Sequence, residues 1–392
     1  MTDAMPLRGN WNYPTAIRFG AGRIAELPEA CRSLGMQRPL LVTDAGLARL
    51  PVVAAALDIL RAGGLAAGLF SDVRPNPVGA DVLAGVAAYR AGGHDGVIAF
   101  GGGSGLDAAK AVALMVGQSR PLFDFEDRDD WFTRVETAGM APVVAVPTTS
   151  GTGSEVGRAS VITDESDHTK KIIFHPKMMP ALVIADPELT IGLPAAVTAA
   201  TGMDALSHAL EAYCSPVYHP IAQGVALEAI RLVKEWLPAA VRDGTDIVAR
   251  SHMMAASSMG ATSFQKGLGA MHALSHPCGA VFDTHHGLTI AVVMPYVLAF
   301  NRPAVEARLT ALARYLDLPA PSGRAVLEWV LRLRAELGIP ERLAALGIGL
   351  EAVARLAPMA AADPSCGGNP RPLDAPTLAR LYEDAIEGRL AG

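Results

Sequence analysis

Gly96-Val97-Ile98-Ala99-Phe100-Gly101-Gly102-Gly103-Ser104-Gly105-Leu106-Asp107-Ala108-Ala109-Lys110 joins a short apolar run to a glycine turn and the opening of a helix. Consecutive glycines leave backbone N–H groups uncovered, and a helix N-terminus adds a dipole that favours an anion. The stretch therefore reads as a cradle for a diphosphate, or as a tight turn whose glycines serve packing alone. The usual G-x-G-x-x-G pattern is not met from Gly101, because Leu106 stands at the third glycine. Only Gly103-x-Gly105-x-x-Ala108 fits its relaxed form.

Reading outward from this turn, short apolar runs alternate with helical segments. Pro39 to Asp44 is followed by a helix around 47–63, Ala66 to Phe70 by a helix over 79–92, and further β-like runs lie at Pro142 to Pro147 and Ala181 to Asp186. That alternation predicts a parallel sheet with crossover helices. The irregular stretch Asp124 to Gly139 is short enough for a surface loop. Beyond about residue 188 the texture turns to long Ala- and Leu-rich segments, as in Gln223 to Trp236, Ile247 to Gly260 and Gly323 to Gly338. The expected fold is α/β plus all-α: a dinucleotide-binding domain over 1–187 and a helical domain over 188–392, divided near Pro187.

Composition agrees with two ordinary globular domains. At 392 residues the chain exceeds the roughly 250–300 at which single cores stop growing. Apolar residues make up 51% and charged ones 18%, which excludes large-scale disorder. The net charge is −6 and Lys and Arg form no basic run, so nucleic acid is excluded as a partner. With no signal-like start and no run of 18 apolar residues, the expectation is a cytoplasmic chain without a membrane partner. Cys31, Cys214, Cys278 and Cys366 stand far apart without a C-x-x-C pair and read as reduced thiols.

Several residues have the chemistry of a site. Asp44 ends an apolar run, where a carboxylate accepts hydrogen bonds from ribose hydroxyls and repels a 2′-phosphate; a turn Asp fits the same position. Pro147-Thr148-Thr149-Ser150-Gly151-Thr152-Gly153-Ser154-Glu155 is a hydroxyl-rich loop at the same expected sheet edge. Four of the ten histidines fall between Met271 and Gly287: His272, His276, His285 and His286. Asp204 and His208 are spaced i, i+4, as are His272 and His276, which puts each pair on one helix face where its members can share a metal ion. Capping and core histidines are the alternative. The absence of H-E-x-x-H argues against a zinc protease.

Taken together, Phe19 to Gly22, Gly101 to Lys110, Pro147 to Glu155, Asp204 to Glu211 and Met271 to Gly287 resemble the iron-containing (group III) alcohol dehydrogenase family over essentially the whole chain. The resemblance implies a dehydroquinate synthase-like architecture, NAD-dependent interconversion of alcohol and aldehyde, and assembly as a homodimer or larger homo-oligomer. It implies Fe²⁺, with Zn²⁺ compatible, on Asp204, His208, His272 and His286, and a proton-relaying His276 beside them. For the cofactor it implies Asp44, Asn76, Gly102, Gly103, Ser104, Asp107, Thr148, Thr149 and Thr152, with Lys171 reaching the ribose region. A related lyase that cycles bound NAD without net oxidation is the rival reading, and a non-catalytic metal-binding protein a third.

At the substrate end, Lys266 interrupts a stretch that carries small neutral residues in family members acting on simple alcohols, and Arg158 places a cation beside the Thr-rich loop. Both suit the far carboxylate of a hydroxy acid. Both also suit solvent or a subunit contact, where such residues usually lie. Cys366 falls at a family position near the pocket. The expected reaction interconverts a small primary alcohol or hydroxy acid with its aldehyde, 4-hydroxybutyrate with succinic semialdehyde being the pair the resemblance favours, and a general short-chain alcohol or diol dehydrogenase is the alternative.

Overall fold

The computed structural model describes residues 9–11 and 14–390. The chain divides into two compact units, one comprising residues up to Thr149 with Gly153–Gly192, the other Ser150–Thr152 with Leu193–Gly392.

The first unit is built on β1 (Gly9–Trp11), β2 (Ala16–Phe19), β3 (Leu40–Val42), β4 (Gly68–Phe70), β5 (Val97–Gly101), β6 (Val143–Pro147) and β9 (Leu182–Ala185). They form one sheet in the order β1-β2-β9-β6-β5-β3-β4. Every pairing is parallel except β1 with β2. β5, β6 and β9 are buried along their whole length, as continuous apolar strands covered on both faces must be. Among the described residues the helices of this unit are α1 (Leu27–Ser33), α2 (Pro51–Ala62), α3 (Gly79–Ala91) and α4 (Gly103–Met115).

Strand order locates the ligand crevice. From β3 the chain steps outward to β4, returns to β5 on the other side of β3, and continues away through β6 and β9. The direction of winding reverses between β3 and β5, and in open α/β sheets ligands bind outside the carboxyl ends of the strands at such a reversal. Asp44 follows β3 and the glycine turn follows β5.

Two features were not anticipated from sequence. β1 and β2 precede the first recognised strand, and β7 (Ala159–Asp164) pairs antiparallel with β8 (Thr169–Phe174) as a separate ribbon between β6 and β9. The ribbon strands carry charged and hydroxyl residues in place of an apolar run, so their pattern does not stand out. The expected loop at 124–139 holds short 3₁₀ turns and buries Phe125 and Val135.

The second unit consists of α5 (Ala195–Cys214), α6 (Pro220–Arg242), α7 (Ile247–Ser263), α8 (Ala270–Phe282), α9 (His286–Tyr315), α10 (Gly323–Glu336), α11 (Val353–Ala361) and α12 (Ala375–Glu387). All residues from Thr198 to Cys214 are buried, so α5 is the central helix, enclosed by α6, α7 and α9. α9 is long and apolar enough to cross a membrane by composition, but most of that stretch is buried among the other helices, as in a core helix. It kinks at Val305, two residues after Pro303.

Candidate metal and cofactor sites

Three helices bring the metal candidates together. On α5, Asp204 and His208 lie one turn apart on a single face; α8 supplies His272 and His276, and His286 is the first residue of α9. The start of α9 runs hard against α5: a Cβ on Gly287 would stand 2.4 Å from the Ala200 carbonyl oxygen. That close approach sets His286 Nε2 3.6 Å from Asp204 Oδ1. From the same oxygen, His208 Nε2 is 3.7 Å and His272 Nε2 4.0 Å away.

These spacings suit a shared ion. Ligands about 2.0–2.2 Å from one metal in a tetrahedron lie about 3.3–3.6 Å apart, so contraction of a few tenths of an ångström completes the set. Asp204, His208 and His272 form a buried trio of candidate donors. Asp204 Oδ1 and His272 Nε2 are buried without a hydrogen-bond partner, and such orphaned polar atoms are costly unless something polar or charged meets them. A divalent cation would satisfy both.

For Asp204 and His208 the electrostatics point the same way. Burial, aided by Glu211 and opposed by His272, pushes the Asp204 carboxyl up to about 7. Burial and the neighbouring His272 hold His208 well below the ordinary imidazole range, so it is neutral and can ligate. For His272 burial acts downward, but Glu211 and Asp204 outweigh it and the net direction is up.

Glu211 closes the Asp204 to Glu211 motif, where spacing alone assigns it no role. It sits one further turn along α5, at i+7 from Asp204, and its Oε2 accepts from His272 Nδ1 at 2.7 Å. The signal was available: a third polar residue on the face of an otherwise apolar helix. Asp363 was also missed, and no local spacing marks it. Its Oδ2 accepts from His276 Nδ1 at 2.7 Å, and despite burial His276 and Ser365 keep its carboxyl well below the usual range. The His276 ring stacks on His286 at 5.4 Å between centroids and meets the edge of His272 at 5.8 Å. It stands beside the donor cluster, outside the trio centred on Asp204. His285 caps α9, its Nδ1 accepting from Leu288 N.

The cofactor candidates of the first unit gather at the sheet's carboxyl edge. Gly101 has φ +147°, and a Cβ on Gly102 would press on Thr149 at 3.2 Å, so the turn carries bare backbone suited to a diphosphate. Gly102 and Gly103 open α4, and Ser104 Oγ donates to the Pro75 carbonyl. Thr148 N donates to the Gly101 carbonyl, tying the loop after β6 to the turn after β5. Asp44 Oδ1 accepts from the Gly46 and Leu47 amides, both at 2.9 Å, so one oxygen does the work of a turn Asp. Asp107 accepts from Ser154 Oγ and from Val161 N. Asn76 Oδ1 accepts from Lys170 Nζ. Thr152 lies in the short segment that groups with the helical unit.

Lys171 is directed to carboxylates. Its Nζ lies 2.5 Å from Asp164 and 3.1 Å from Asp167. Burial opposes ionisation of Asp164, but Lys171 and Ser166 lower its carboxyl to about 2. A carboxyl depressed on folding stabilises the fold above its unfolded value, near 4, and loses that contribution as pH falls through about 2. Asp164→Asn is therefore expected to cost about 1–2 kcal/mol at pH 7. Urea midpoints of the two proteins should converge as pH drops below about 4.

The substrate-end expectations meet a different geometry. Lys266 is buried, and its Nζ reaches the carbonyls of Ala212 (2.8 Å), Tyr213 (3.4 Å) and Ser215 (2.5 Å) at the end of α5. All three ammonium donors are thereby engaged with backbone, so this side chain offers nothing to a substrate carboxylate. Its position after α7 and before α8 makes it a cap for α5. Arg158 is exposed and lies over the Phe174 ring at 5.8 Å. Cys366 packs on the helical core and its Sγ donates to the Ala360 carbonyl; burial raises its thiol to about 11.

A parallel sheet with a glycine turn at its winding reversal, and in the helical unit a buried carboxylate with three imidazoles within 4.0 Å, are the features of an enzyme that uses a dinucleotide and a metal ion. The chain belongs to the iron-containing alcohol dehydrogenase family, whose model "Iron-containing alcohol dehydrogenase" matches residues 14–187 and whose C-terminal model matches 198–386. It is 38% identical to a 4-hydroxybutyrate dehydrogenase of Cupriavidus necator, over 95% of this chain and 99% of that protein. An NAD-dependent methanol dehydrogenase of Bacillus methanolicus is 34% identical over 96% and 100%. Among solved structures, a 1,3-propanediol oxidoreductase superposes with a TM-score of 0.90 at 33% identity, over 98% of this chain and all of that one. The protein is an NAD-dependent, iron-containing alcohol dehydrogenase acting on small alcohols or aldehydes. The lyase and non-catalytic readings are set aside.

Proposed function

We propose that this chain interconverts small neutral primary alcohols, diols included, with their aldehydes, and has no dedicated recognition of a substrate carboxylate. The observation that carries this reading is the engagement of Lys266 by the carbonyls ending α5, together with the exposure of Arg158. Relatives named for methanol and for 1,3-propanediol add support. The narrower reading, oxidation of 4-hydroxybutyrate to succinic semialdehyde, draws on the 38% identical relative and requires an anion partner other than these two cations. On the family's pattern the enzyme works as a cytoplasmic homodimer or larger homo-oligomer.

In this reading Asp204, His208, His272 and His286 hold Fe²⁺, which when bound supplies Lewis acidity toward an alcohol oxygen. Asp204 contributes the anionic donor, and burial keeps the His208 imidazole neutral. His276, with Nδ1 donated to Asp363, presents Nε2 for taking up and passing on the hydroxyl proton. The turn Gly102 to Ser104 receives the NAD diphosphate, with Asp107, Thr148 and Thr149 of the same unit beside it, while Asp44 and Asn76 serve the ribose side.

The test is NADH formation by anaerobically purified, Fe²⁺-loaded protein with 1-butanol, 1,4-butanediol and 4-hydroxybutyrate. We expect kcat/KM for the two neutral alcohols to equal or exceed that for the hydroxy acid. Preference for 4-hydroxybutyrate over 1,4-butanediol by about 100-fold or more, the size of a charge-assisted contact, would establish the narrower reading.

A further inference from the structure

Glu211 makes two contacts that no property of the reaction requires by itself. Its Oε1 accepts from the Met271 amide at 2.6 Å and its Oε2 from His272 Nδ1 at 2.7 Å, and the side chain is buried. One carboxylate on α5 thus grips both the first turn of α8 and the ring that α8 contributes to the donor set. A parallel clamp acts one residue earlier. Asn369 Oδ1 accepts from the Ala270 amide at 3.3 Å and from Asn301 Nδ2 at 2.8 Å, and Asn369 Nδ2 returns a bond to Asn301 Oδ1. The Asn clamp touches only the start of α8, whereas Glu211 touches the start and the imidazole.

This difference separates anchoring a helix from choosing a tautomer. A carboxylate has two acceptor oxygens, so His272 must place its proton on Nδ1, which leaves the Nε2 lone pair facing Asp204. An amide at 211 has one acceptor and one donor group. With its oxygen on the Met271 amide, its NH₂ faces Nδ1; the ring proton must then move to Nε2, and that nitrogen can no longer ligate. With the amide reversed, NH₂ meets the Met271 N–H, and two donors oppose each other in a buried place.

We propose that Glu211 is the positioning residue of the metal centre: by accepting from Met271 N and His272 Nδ1 together, it fixes the tautomer in which His272 Nε2 can bind the ion. The proposal rests on the assignment of His272 as a ligand, and the experiment separates the two. Full-length wild type, Glu211→Gln and Asn369→Ala are stripped of metal and titrated with Zn²⁺ against a chromophoric chelator, and the apo melting temperature of each is recorded. Wild type should take up one ion per chain. Glu211→Gln should raise the dissociation constant roughly 10–100-fold, in the range found for partners of ligating histidines. Asn369→Ala should lower the apo melting temperature while staying within about threefold of wild-type affinity. Tautomer-sensitive ¹⁵N shifts of His272 in the apo protein should report protonated Nδ1 in wild type and protonated Nε2 in Glu211→Gln.

Failure of wild type to bind an ion would overturn the metal assignment itself. Wild-type affinity in Glu211→Gln would overturn the role of Glu211 and leave the metal centre standing. Equal loss of affinity in Asn369→Ala would show that Glu211 acts only by holding the start of α8, and so would also overturn the proposal.

Discussion

Asp204→Asn is expected to empty the metal centre. Asp204 is the only carboxylate in the donor set, and its Oδ1 faces the Nε2 atoms of His208, His272 and His286 at 3.6–4.0 Å. An amide supplies neither the negative charge nor a second acceptor, so the balance of charge around a divalent ion is lost. Metal measured after desalting should fall from one ion per chain to a trace. NADH formation should drop by about three orders of magnitude or more, since a bound ion contributes several kcal/mol to transition-state stabilisation. Thermal stability supplies a second signature with opposite signs in two states. With metal in excess, wild type gains from binding the folded state and the variant does not. Stripped of metal, wild type keeps a desolvated carboxylate without a partner for Oδ1, so the variant should melt at the higher temperature. Retention of one tightly held ion by the variant would remove Asp204 from the ligand set.

His276→Ala carries the second large effect, and it should separate turnover from metal binding. The His276 ring is adjacent to His272 and His286, yet its Nδ1 is held by Asp363 and it stands outside the trio centred on Asp204. We expect kcat to fall roughly 10²- to 10⁴-fold, the usual contribution of a positioned proton-transfer group, while metal content stays close to one per chain. Asp363→Asn should give a smaller loss in the same direction, because the ring keeps its place but loses the acceptor that orients it. Loss of metal from His276→Ala would move this residue into the ligand set and leave the proton without an identified carrier.

Much of this organisation is legible in the chain. Apolar runs at 97–101, 143–147 and 182–185 are unbroken because the strands they form are covered on both faces, and that continuity also marks them as parallel. The i, i+4 spacings of Asp204 with His208 and of His272 with His276 define faces as soon as the segments are helical. Other parts were not legible for identifiable reasons. The β7–β8 ribbon is polar and gives no strong period. Glu211 is legible as a third polar residue on the face of Asp204 and His208, but its partner, the His272 ring on α8, is set only by packing. Asp363 is 87 residues from His276 and joins it only through packing. Lys266 and Arg158 suit an anion by residue type and by their place along the chain, neither of which shows where the charged end of a side chain goes. In the fold Lys266 donates to the carbonyl ends of α5, and Arg158 is exposed.

What local sequence carries is the strong periodicities: the apolar strands and long helices that repeat clearly, where the glycine turn interrupts them, and which side chains share one face of one helix. Those follow from backbone geometry over a few residues and need no partner. The tertiary structure alone decided which faces meet. α5, α8 and the start of α9 converge because bare backbone at Gly287 lets α9 close on α5, and because Glu211 and Asn369 hold the first amides of α8. A donor set is a property of distances between elements, and these are set by packing and buried hydrogen bonds spanning scores of residues.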